Sequence, residues 1–371
     1  MSTPFTLIAS GLLSAVALAA GVAAQQPRIE NGTVNPQPAG SPFPASFRTL
    51  VSSQAGIAWI GYAVPVLDRD RTMCCFASGD TVVRGSASGC CGGCRLENSS
   101  GTSYSTRSAP ATTASGTVKL EGSDRMLVLF RVAEQKIDRV RVFSEECRLD
   151  AGGRPVQWLE NVPPAGSIAL LESLTDLDGD PKRRIADGAI TAIALHLDEA
   201  ADASLERLMA PGKPDAVRKK VTFWLGNSRG RRGFEALRRV MREDPSIEVR
   251  KSAIFGLSQS SVPETLDTLA NIARADSEPR LRSEALFWLA QKAGRKISAT
   301  IAERIDQDPD TDVKKKAVFA LSQLPRDEGV PLLINVARTN RNTEVRKQAM
   351  FWLGQSNDPR AIDFFAEVLR K

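Results

Sequence analysis

Histidine is nearly absent from the chain of 371 residues: His196 is the only one. A catalytic triad that uses histidine would need this residue, and no nucleophile-elbow sequence accompanies it. Glycine-rich phosphate loops are also lacking, because Gly92-Gly93 and Gly152-Gly153 fit ordinary turns. After residue 24, no run approaches the roughly 18 apolar residues that span a bilayer. Two Asp or Glu residues can still meet in space, but the sequence favours a non-enzymatic protein without catalytic, cofactor-binding or metal-binding residues.

Cysteine is confined to one region, and its six positions are Cys74, Cys75, Cys90, Cys91, Cys94 and Cys147. An even number of cysteines in an exported chain favours disulfides, although the sequence does not select their pairing. Cys91-Gly-Gly-Cys94 could instead be a redox dithiol or half of a zinc site. It lies in a Gly/Ser-rich stretch without a thioredoxin-like βαβ pattern, and adjacent cysteines chelate one ion poorly. The sequence therefore favours structural disulfides.

The N-terminal segment from Leu7 to Ala24 is apolar and rich in alanine. Small residues at Val22 and Ala24 suit cleavage by signal peptidase before Gln25. No Lys or Arg precedes the apolar stretch, so a misplaced start codon, an uncleaved anchor or a cytosolic protein are the alternatives. We predict a signal peptide over residues 1–24 and a periplasmic or secreted protein that has no membrane span once the signal is removed.

Residues 25–46 are rich in Pro, Asn and Gly, and their lack of apolar periodicity predicts a flexible linker. Residues 47–165 are predicted to form a β-rich domain that contains the cysteines. Its strand candidates are Ile57–Leu67, Thr117–Glu121, Arg125–Ala133 and Ile137–Phe143, the last two joined in a hairpin by Glu134-Gln135-Lys136. Pro155–Val162 is predicted to be a junction.

From Val217 onward, one phrase returns every 32 residues: VRKKVTFWLG, VRKSAIFGLS, LRSEALFWLA, VKKKAVFALS and VRKQAMFWLG. Such a period predicts a solenoid in which each repeat buries its apolar face against its neighbours. Each unit contains two amphipathic helices, and Asp244-Pro245 and Asp308-Pro309 are predicted start signals for the first helix. A degenerate sixth repeat is predicted around Ile185 and a capping helix over Gly166–Leu174. The predicted fold is mainly α, with a solenoid of about six repeats over residues 166–371.

Two columns of the repeat carry most of its chemistry. Large and small residues alternate at Trp224, Gly256, Trp288, Ala320 and Trp352, which predicts interdigitating packing; an exposed row of indoles that binds sugar or lipid is the alternative. The basic column is Arg218, Arg250, Arg282, Lys314 and Arg346. We interpret it as a structural ladder with Glu248, Asp312 and Glu344 as candidate partners. A ridge for an acidic partner is the alternative, because Lys and Arg outnumber Asp and Glu by 30 to 21 from Pro211 onward.

The phrase Asp308-Pro-Asp-Thr-Asp-Val-Lys-Lys-Lys-Ala-Val-Phe-Ala-Leu-Ser, together with Asn357-Asp-Pro-Arg-Ala-Ile, resembles HEAT-like repeats of the phycobilisome-lyase type. The resemblance covers residues 167–371 and implies a right-handed α-solenoid that binds other proteins. Deoxyhypusine hydroxylase shares such repeats and binds di-iron through His-Glu pairs, which a chain with one histidine cannot assemble. Bilin lyases act on cytosolic antenna proteins, which disagrees with export. The whole chain also resembles secreted bacterial HEAT-repeat proteins of unassigned function.

These observations predict an exported, non-enzymatic scaffold that binds a protein partner on the concave face of the solenoid. Second helices are expected to line that face, and its candidate residues are Arg232, Glu235, Arg239, Thr268, Asn271, Glu303, Asn335, Asp363 and Glu367. Nucleic acid is disfavoured by export and by the lack of exposed aromatics among the basic residues. The alternative function is a thiol redox or metal-binding envelope protein that uses the Cys74–Cys94 cluster.

Overall fold

The computed structural model describes residues 27–67, 73–75, 94–97, 102–104, 124–145, 147–176, 185–293 and 297–370. The predicted signal peptide 1–24, the predicted strand 117–121 and Cys90-Cys91 lie outside these residues. Within them, no helix combines the length and the apolar character needed to cross a membrane.

A five-stranded mixed sheet forms the centre of the N-terminal region. Its strand order is β2-β10-β3-β7-β8; β10 runs parallel to both β2 and β3, and the other pairs are antiparallel. The elements in chain order are β1 (Ile29–Glu30), β2 (Val34–Pro38), α1 (Phe43–Ser52), β3 (Ala58–Pro65), β4 (Met73–Cys75), β5 (Cys94–Arg95), β6 (Thr102–Tyr104), β7 (Arg125–Ala133), β8 (Lys136–Ser144), β9 (Leu149–Asp150) and β10 (Val156–Glu160).

The strand predictions for β3, β7 and β8 are confirmed within two residues at each end. Glu134 and Gln135 join β7 to β8 with positive φ angles of 52° and 59°, so the predicted hairpin has a tight two-residue loop.

Two expectations about the edges of this domain are wrong. The segment 25–46 is not a flexible linker over its described part, since 27–46 contains β1, β2 and the start of α1. The predicted junction around 155–162 is instead β10, the strand on which β2 and β3 both pair. Both segments are short and proline-flanked, and pairing with distant strands, rather than local sequence, makes them strands.

Both faces of the sheet are covered. On one face, Tyr62, Phe130 and Val142 pack with Phe47 of α1 and with the helices that follow the sheet. On the other face, Trp59, Leu127, Phe143 and Trp158 form a separate buried cluster with Leu96, Cys147 and Leu149. The second cluster packs the sheet against the cysteine-containing segments, and the first packs it against the helices.

The predicted capping helix is confirmed as α2 (Pro164–Glu172), and the helices between residues 186 and 369 form six pairs. First and second helices alternate as α3 (Ala186–Leu195), α4 (Ala200–Leu208), α5 (Asp215–Ser228), α6 (Gly230–Glu243), α7 (Ile247–Gln259), α8 (Thr265–Ala275), α9 (Pro279–Ala293), α10 (Ser298–Gln307), α11 (Thr311–Ser322), α12 (Arg326–Thr339), α13 (Thr343–Gln355) and α14 (Pro359–Leu369). The predicted degenerate repeat is the pair α3 and α4.

The predicted helix starts are displaced by two residues. Ser246 and Asp310, rather than Asp244 and Asp308, accept hydrogen bonds from the first free N–H groups of α7 and α11. Asp244 instead accepts from the N–H of Ser246, and Asp308 from that of Asp310, in turns before the helices. The Asp-Pro pairs therefore shape the inter-repeat turns, and the residue after each proline caps the helix.

The sheet and the solenoid share one core, which extends from Phe43 to Phe364. Helix α3 lies directly on β8, and a Cβ at Gly188 would stand 2.2 Å from the Val140 carbonyl oxygen. Only glycine allows this approach of backbone to backbone. The N-terminal region therefore closes the first end of the stack.

Candidate protein-interaction surface on the first helices

The basic column is structural, as predicted, and its members are buried or half-buried. Arg218 and Arg282 are 3% and 6% exposed. Each of the first three arginines binds an aspartate 26 residues further on, at the turn after its own repeat: Arg218 with Asp244, Arg250 with Asp276 and Arg282 with Asp308, all at 2.8 Å. Arg282 is bidentate on Asp308 and also donates to the Asp276 carbonyl, so it joins two successive turns.

The acidic partners proposed from the sequence are wrong. Asp312 and Glu344 pair with Lys315 and Lys347 of their own helices, at 2.6 and 3.0 Å. These carboxylates lie in the exposed first turn, whereas the column arginines extend toward the buried turn behind the helix. Glu248, in the equivalent first turn of α7, is likewise not the partner of Arg250.

The acceptors form a column of their own, Asp244, Asp276, Asp308 and Asn340. Burial alone would raise the pKa of Asp308, but the hydrogen bonds from Arg282 and from the Asp310 N–H outweigh it and hold that pKa below its ordinary value. Where the basic column changes to Lys314, the acceptor changes to Asn340, and Lys314 donates to the Asp306 carbonyl instead. A carboxylate therefore stands opposite each of the three arginines, and a neutral amide stands opposite Lys314.

Close contact between helix backbones explains why the alternating column has glycine at position 256. A Cβ at Gly226 would lie 1.8 Å from the Gly256 carbonyl oxygen, and one at Gly256 would lie 2.4 Å from that of Thr222. Gly256 therefore lets α7 pack closely on α5. At this position of the column, backbone atoms make the contact between the helices, and an indole does not. Trp224 is fully buried, whereas Trp288 and Trp352 are half-buried.

The tryptophans meet phenylalanines of the preceding repeat. The Phe255 and Trp288 ring centroids are 4.7 Å apart, and those of Phe319 and Trp352 are 4.9 Å apart. Phe223 stacks on Phe255 at 5.8 Å, and Phe287 stacks on Phe319 at 6.0 Å. Ring contacts thus run along the stack from the second repeat to the sixth.

These phenylalanines form a row that our sequence analysis overlooked. Each first helix from α5 onward has phenylalanine at the same position, and all five are half-buried or exposed; the aromatic row is Phe223, Phe255, Phe287, Phe319 and Phe351. The signal was visible in the sequence, because phenylalanine is invariant in the repeated phrase while the next position alternates.

Two polar rows flank the aromatic row. Residues four apart lie on one face of a helix, so the positions before and after each phenylalanine share its face. The cation row, four residues earlier, is Lys219, Lys251, Lys315 and Lys347, with serine at 283. The amide row, four residues later, is Asn227, Gln259, Gln291, Gln323 and Gln355. We call the three rows together the first-helix face.

Two neighbouring amides of the row are hydrogen-bonded to each other between repeats. Gln291 Nε2 donates to Gln323 Oε1 at 3.4 Å. A cavity of about 240 Å³ lies between Gln323, Trp352, Gln355 and Leu333 at the end of the row. The buried Nε1 of Trp352 has no hydrogen-bond partner within the described residues. Amide groups in this row retain donor and acceptor capacity because each has two N–H groups and two oxygen lone pairs.

Four of the nine residues predicted on the second helices form ion pairs with the second helix of a neighbouring repeat. Seven of the nine are exposed, and Thr268 and Glu303 are half-buried. Ion pairs connect second helices of successive repeats: Arg232 with Asp202 at 2.6 Å, Arg239 with Glu206 at 3.4 Å, Arg274 with Glu303 at 3.4 Å, and Arg338 with Glu367. Exposed pairs of this kind contribute about 0–1 kcal/mol each.

His196 and Cys147 are both buried. His196 is 0% exposed; burial chiefly lowers its pKa to about 4, and Arg229 lowers it further while Asp198 opposes the shift. Cys147 is 1% exposed within the second core cluster, and the Cys94 backbone pairs with Leu149 two residues beyond it. Among the described residues, no group of three His, Cys, Asp or Glu side chains could hold a metal ion.

Comparison with known proteins identifies the repeats. Residues 201–290 and 298–371 match the family model for HEAT repeats. Among curated proteins, none matches the chain in sequence.

Three solved structures are similar to part of this chain at low sequence identity. Escherichia coli YibA is 23% identical with a TM-score of 0.35 and covers 50% of this chain and 68% of its own. Human deoxyhypusine hydroxylase is 18% identical with a TM-score of 0.24 and covers 56% and 78%. The CpcE–CpcF phycocyanin lyase of Nostoc is 19% identical with a TM-score of 0.29 and covers 56% and 83%.

Proposed function

We propose that this protein, whose helical part is an array of HEAT repeats, is an exported, non-enzymatic scaffold that binds a protein partner along its solenoid. The observation that carries the proposal is the first-helix face. Monomeric proteins rarely expose long apolar patches, and we infer that the row of four half-buried phenylalanines and the exposed Phe351 is such a patch. Aromatic side chains rimmed by polar groups are typical of protein interfaces.

The packing of the helices favours the first-helix face over the second-helix face as the binding surface. First helices contact each other at every step from α3 to α13, whereas contacts between successive second helices are sparser. A curved stack has its closely spaced helices on the inner side, so we place the first helices there. The sequence led to a different expectation, namely that the partner binds the second helices, and that expectation stays a prediction.

A crosslinking pull-down from the cell envelope, followed by mass spectrometry, tests the scaffold. We expect a stoichiometric partner that is lost when Phe287 and Phe319 are replaced by serine. A matched variant reverses the exposed charges Arg239 and Asp363 on the second helices. Loss of the partner only in the second variant would move the site to the second helices, and absence of any stoichiometric partner would contradict the scaffold.

The alternative thiol-based function is tested by titration. We propose that the cysteines form structural disulfides, and the burial of Cys147 supports this role because a sealed sulfur is poorly placed for exchange with a client. We expect no reactive thiols and no bound zinc in the native protein. Reactive thiols with a zinc content near one per chain would favour the metal-binding alternative.

Export is supported by the apolar segment of residues 7–24. Fractionation of cells and N-terminal sequencing of the mature protein test it, with Gln25 expected as the first residue. A full-length protein in the cytosol would contradict export.

A further inference from the structure

We propose that the first-helix face binds an acidic, proline-rich segment in polyproline II conformation, laid across the helices with its backbone on the amide row. This inference rests on the proposed function, since it states the kind of partner that the scaffold holds. It concerns three sets of side chains, the cation, aromatic and amide rows.

The repeat spacing matches the periodicity of polyproline II. Packed helices lie about 8–10 Å apart. A polyproline II chain advances about 9.3 Å in its three-residue turn, so every third residue can meet the next repeat in the same orientation. A β-strand returns to the same side after two residues, about 6.6–6.8 Å, and would lose register within a few repeats.

The aromatic row provides platforms for proline rings. Phe223 stacks on Phe255 with planes 22° apart, and Phe287 stacks on Phe319 with planes 4° apart. Trp288 and Trp352 extend these platforms to the next repeat. Proline-rich segments dock on grooves lined by aromatic rings, and they lose little conformational entropy because polyproline II is formed beforehand.

The amide row complements the backbone of such a segment. Polyproline II makes no internal hydrogen bonds, and proline has no N–H, so its carbonyl oxygens need external donors. Gln291, Gln323 and Gln355 are exposed and can donate through Nε2. The cavity beside Trp352, Gln323 and Gln355 offers room of about 240 Å³ for one side chain of the segment.

The cation row determines the charge of the segment. Lys219 and Lys347 are exposed, and Lys316 extends over the Phe319 ring at 6.0 Å. Lys251, Lys315 and Lys347 pair with Glu284, Asp312 and Glu344 at 3.5, 2.6 and 3.0 Å. These three lysine side chains are 36–69% exposed, and ion pairs of exposed side chains exchange partners at little cost. Carboxylates at every third position of the segment would lie over this row.

Peptide binding to the full-length protein, measured by isothermal titration calorimetry, tests the inference. The probes are (Pro-Pro-Glu)5, its charge-reversed form (Pro-Pro-Lys)5, its flexible form (Gly-Ser-Glu)5 and the short form (Pro-Pro-Glu)2. We expect (Pro-Pro-Glu)5 to bind at least tenfold more tightly than each of the others. Equal binding of the flexible form would contradict the proposed polyproline II conformation of the segment. Equal binding of the lysine form would contradict its proposed acidic charge.

Variants assign the site. Gln291→Ala, Gln323→Ala and Gln355→Ala together should weaken (Pro-Pro-Glu)5 at least tenfold, with an unchanged circular dichroism spectrum. The matched control is Asn271→Ala with Asn335→Ala, which removes exposed amides from the second helices. Equal effects of the two sets, or no binding of (Pro-Pro-Glu)5 by the wild type at millimolar concentration, would overturn the inference. If the envelope pull-down still yields its partner in that case, the scaffold stands and only its ligand class is wrong.

Discussion

The first and last copies of the repeated phrase differ at only three of ten positions, yet several of their shared residues have different surroundings. Val217–Gly226 reads VRKKVTFWLG, and Val345–Gly354 reads VRKQAMFWLG. Trp224 is fully buried, whereas Trp352 is half-buried. Phe351 is 54% exposed at the last copy, and Phe223 is half-buried at the first. The same residues therefore pack against a following repeat in one place and meet solvent in the other.

The glycine that ends the phrase shows the difference most clearly. At the first copy, a Cβ on Gly226 would overlap the Gly256 carbonyl, whereas at the last copy a Cβ on Gly354 would meet nothing within 4 Å. Equivalent positions in different repeats thus have different roles. A residue is a packing element where the next repeat covers it, and a surface group where no repeat does. Variants made in pairs, one at each copy, separate the two contributions.

The largest difference is expected for the basic column. Arg218→Ala leaves Asp244 buried without its charge partner, since the two side chains are 3% and 4% exposed. Removing one partner of a buried pair costs about 3–5 kcal/mol. Arg346→Ala at the last copy removes bonds to the carbonyls of Asn340 and Arg341, which should cost about 1 kcal/mol. Urea unfolding followed by circular dichroism measures both; equal losses would show that the aspartate pair is not what matters.

The glycine column should give effects of opposite sign. Gly226→Ala forces two helix backbones apart and should cost about 3 kcal/mol, because a carbonyl cannot turn away as a side chain can. Gly354→Ala should stabilise the protein by about 0.5–1 kcal/mol, since alanine loses less backbone entropy in a helix. The free energies of unfolding, measured under identical conditions, check this prediction. Destabilisation by both changes would mean that Gly354 is also covered.

Local sequence periodicity was sufficient to predict the solenoid, its six units and the structural basic column. It failed where pairing is distant: Val156–Glu160 is too short to be recognised as a strand from the sequence, and its pairing with β2 and β3 on its two sides defines it. The aspartate partners were missed because each lies 26 residues after its arginine, beyond the second helix of the repeat. Asp312 and Glu344 are close to the basic column in the sequence, but their carboxylates pair with other lysines.

The first-helix face could have been predicted in part. Phenylalanine at one position and an amide four residues later recur in five units, and this regularity is present in the sequence. Whether those rings are covered depends on the distance between helices, which Gly226 and Gly256 determine through backbone contact. A hydrophobic residue in a repeat is most often interior, so the pattern alone favours a core position over a surface one.

The N-terminal side of the first copy should respond to acid, unlike the last copy. Residue His196 lies in an isolated bridge with Val66 of the sheet, and burial lowers its pKa to about 4. Its stabilising effect is fully present above the unfolded pKa of about 6.5 and is lost as pH falls toward 4, because the unfolded state then binds the proton first. The loss should reach about 2 kcal/mol at pH 5. His196→Phe should flatten this dependence; an unchanged slope in the variant would assign it to other groups.

The smallest contrast is expected in the aromatic row. Phe223 contacts both Trp224 and Phe255, whereas Phe351 contacts Trp352. An aromatic pair contributes about 0.5–1.5 kcal/mol beyond burial, so Phe223→Ala should cost about 1 kcal/mol more than Phe351→Ala. The free energies of unfolding in urea measure this difference, and Phe319→Ala, which loses Phe287 and Trp352, is the internal control. A greater loss at Phe351 would mean that its exposed ring is held by a contact, such as a second molecule, that the isolated chain does not contain.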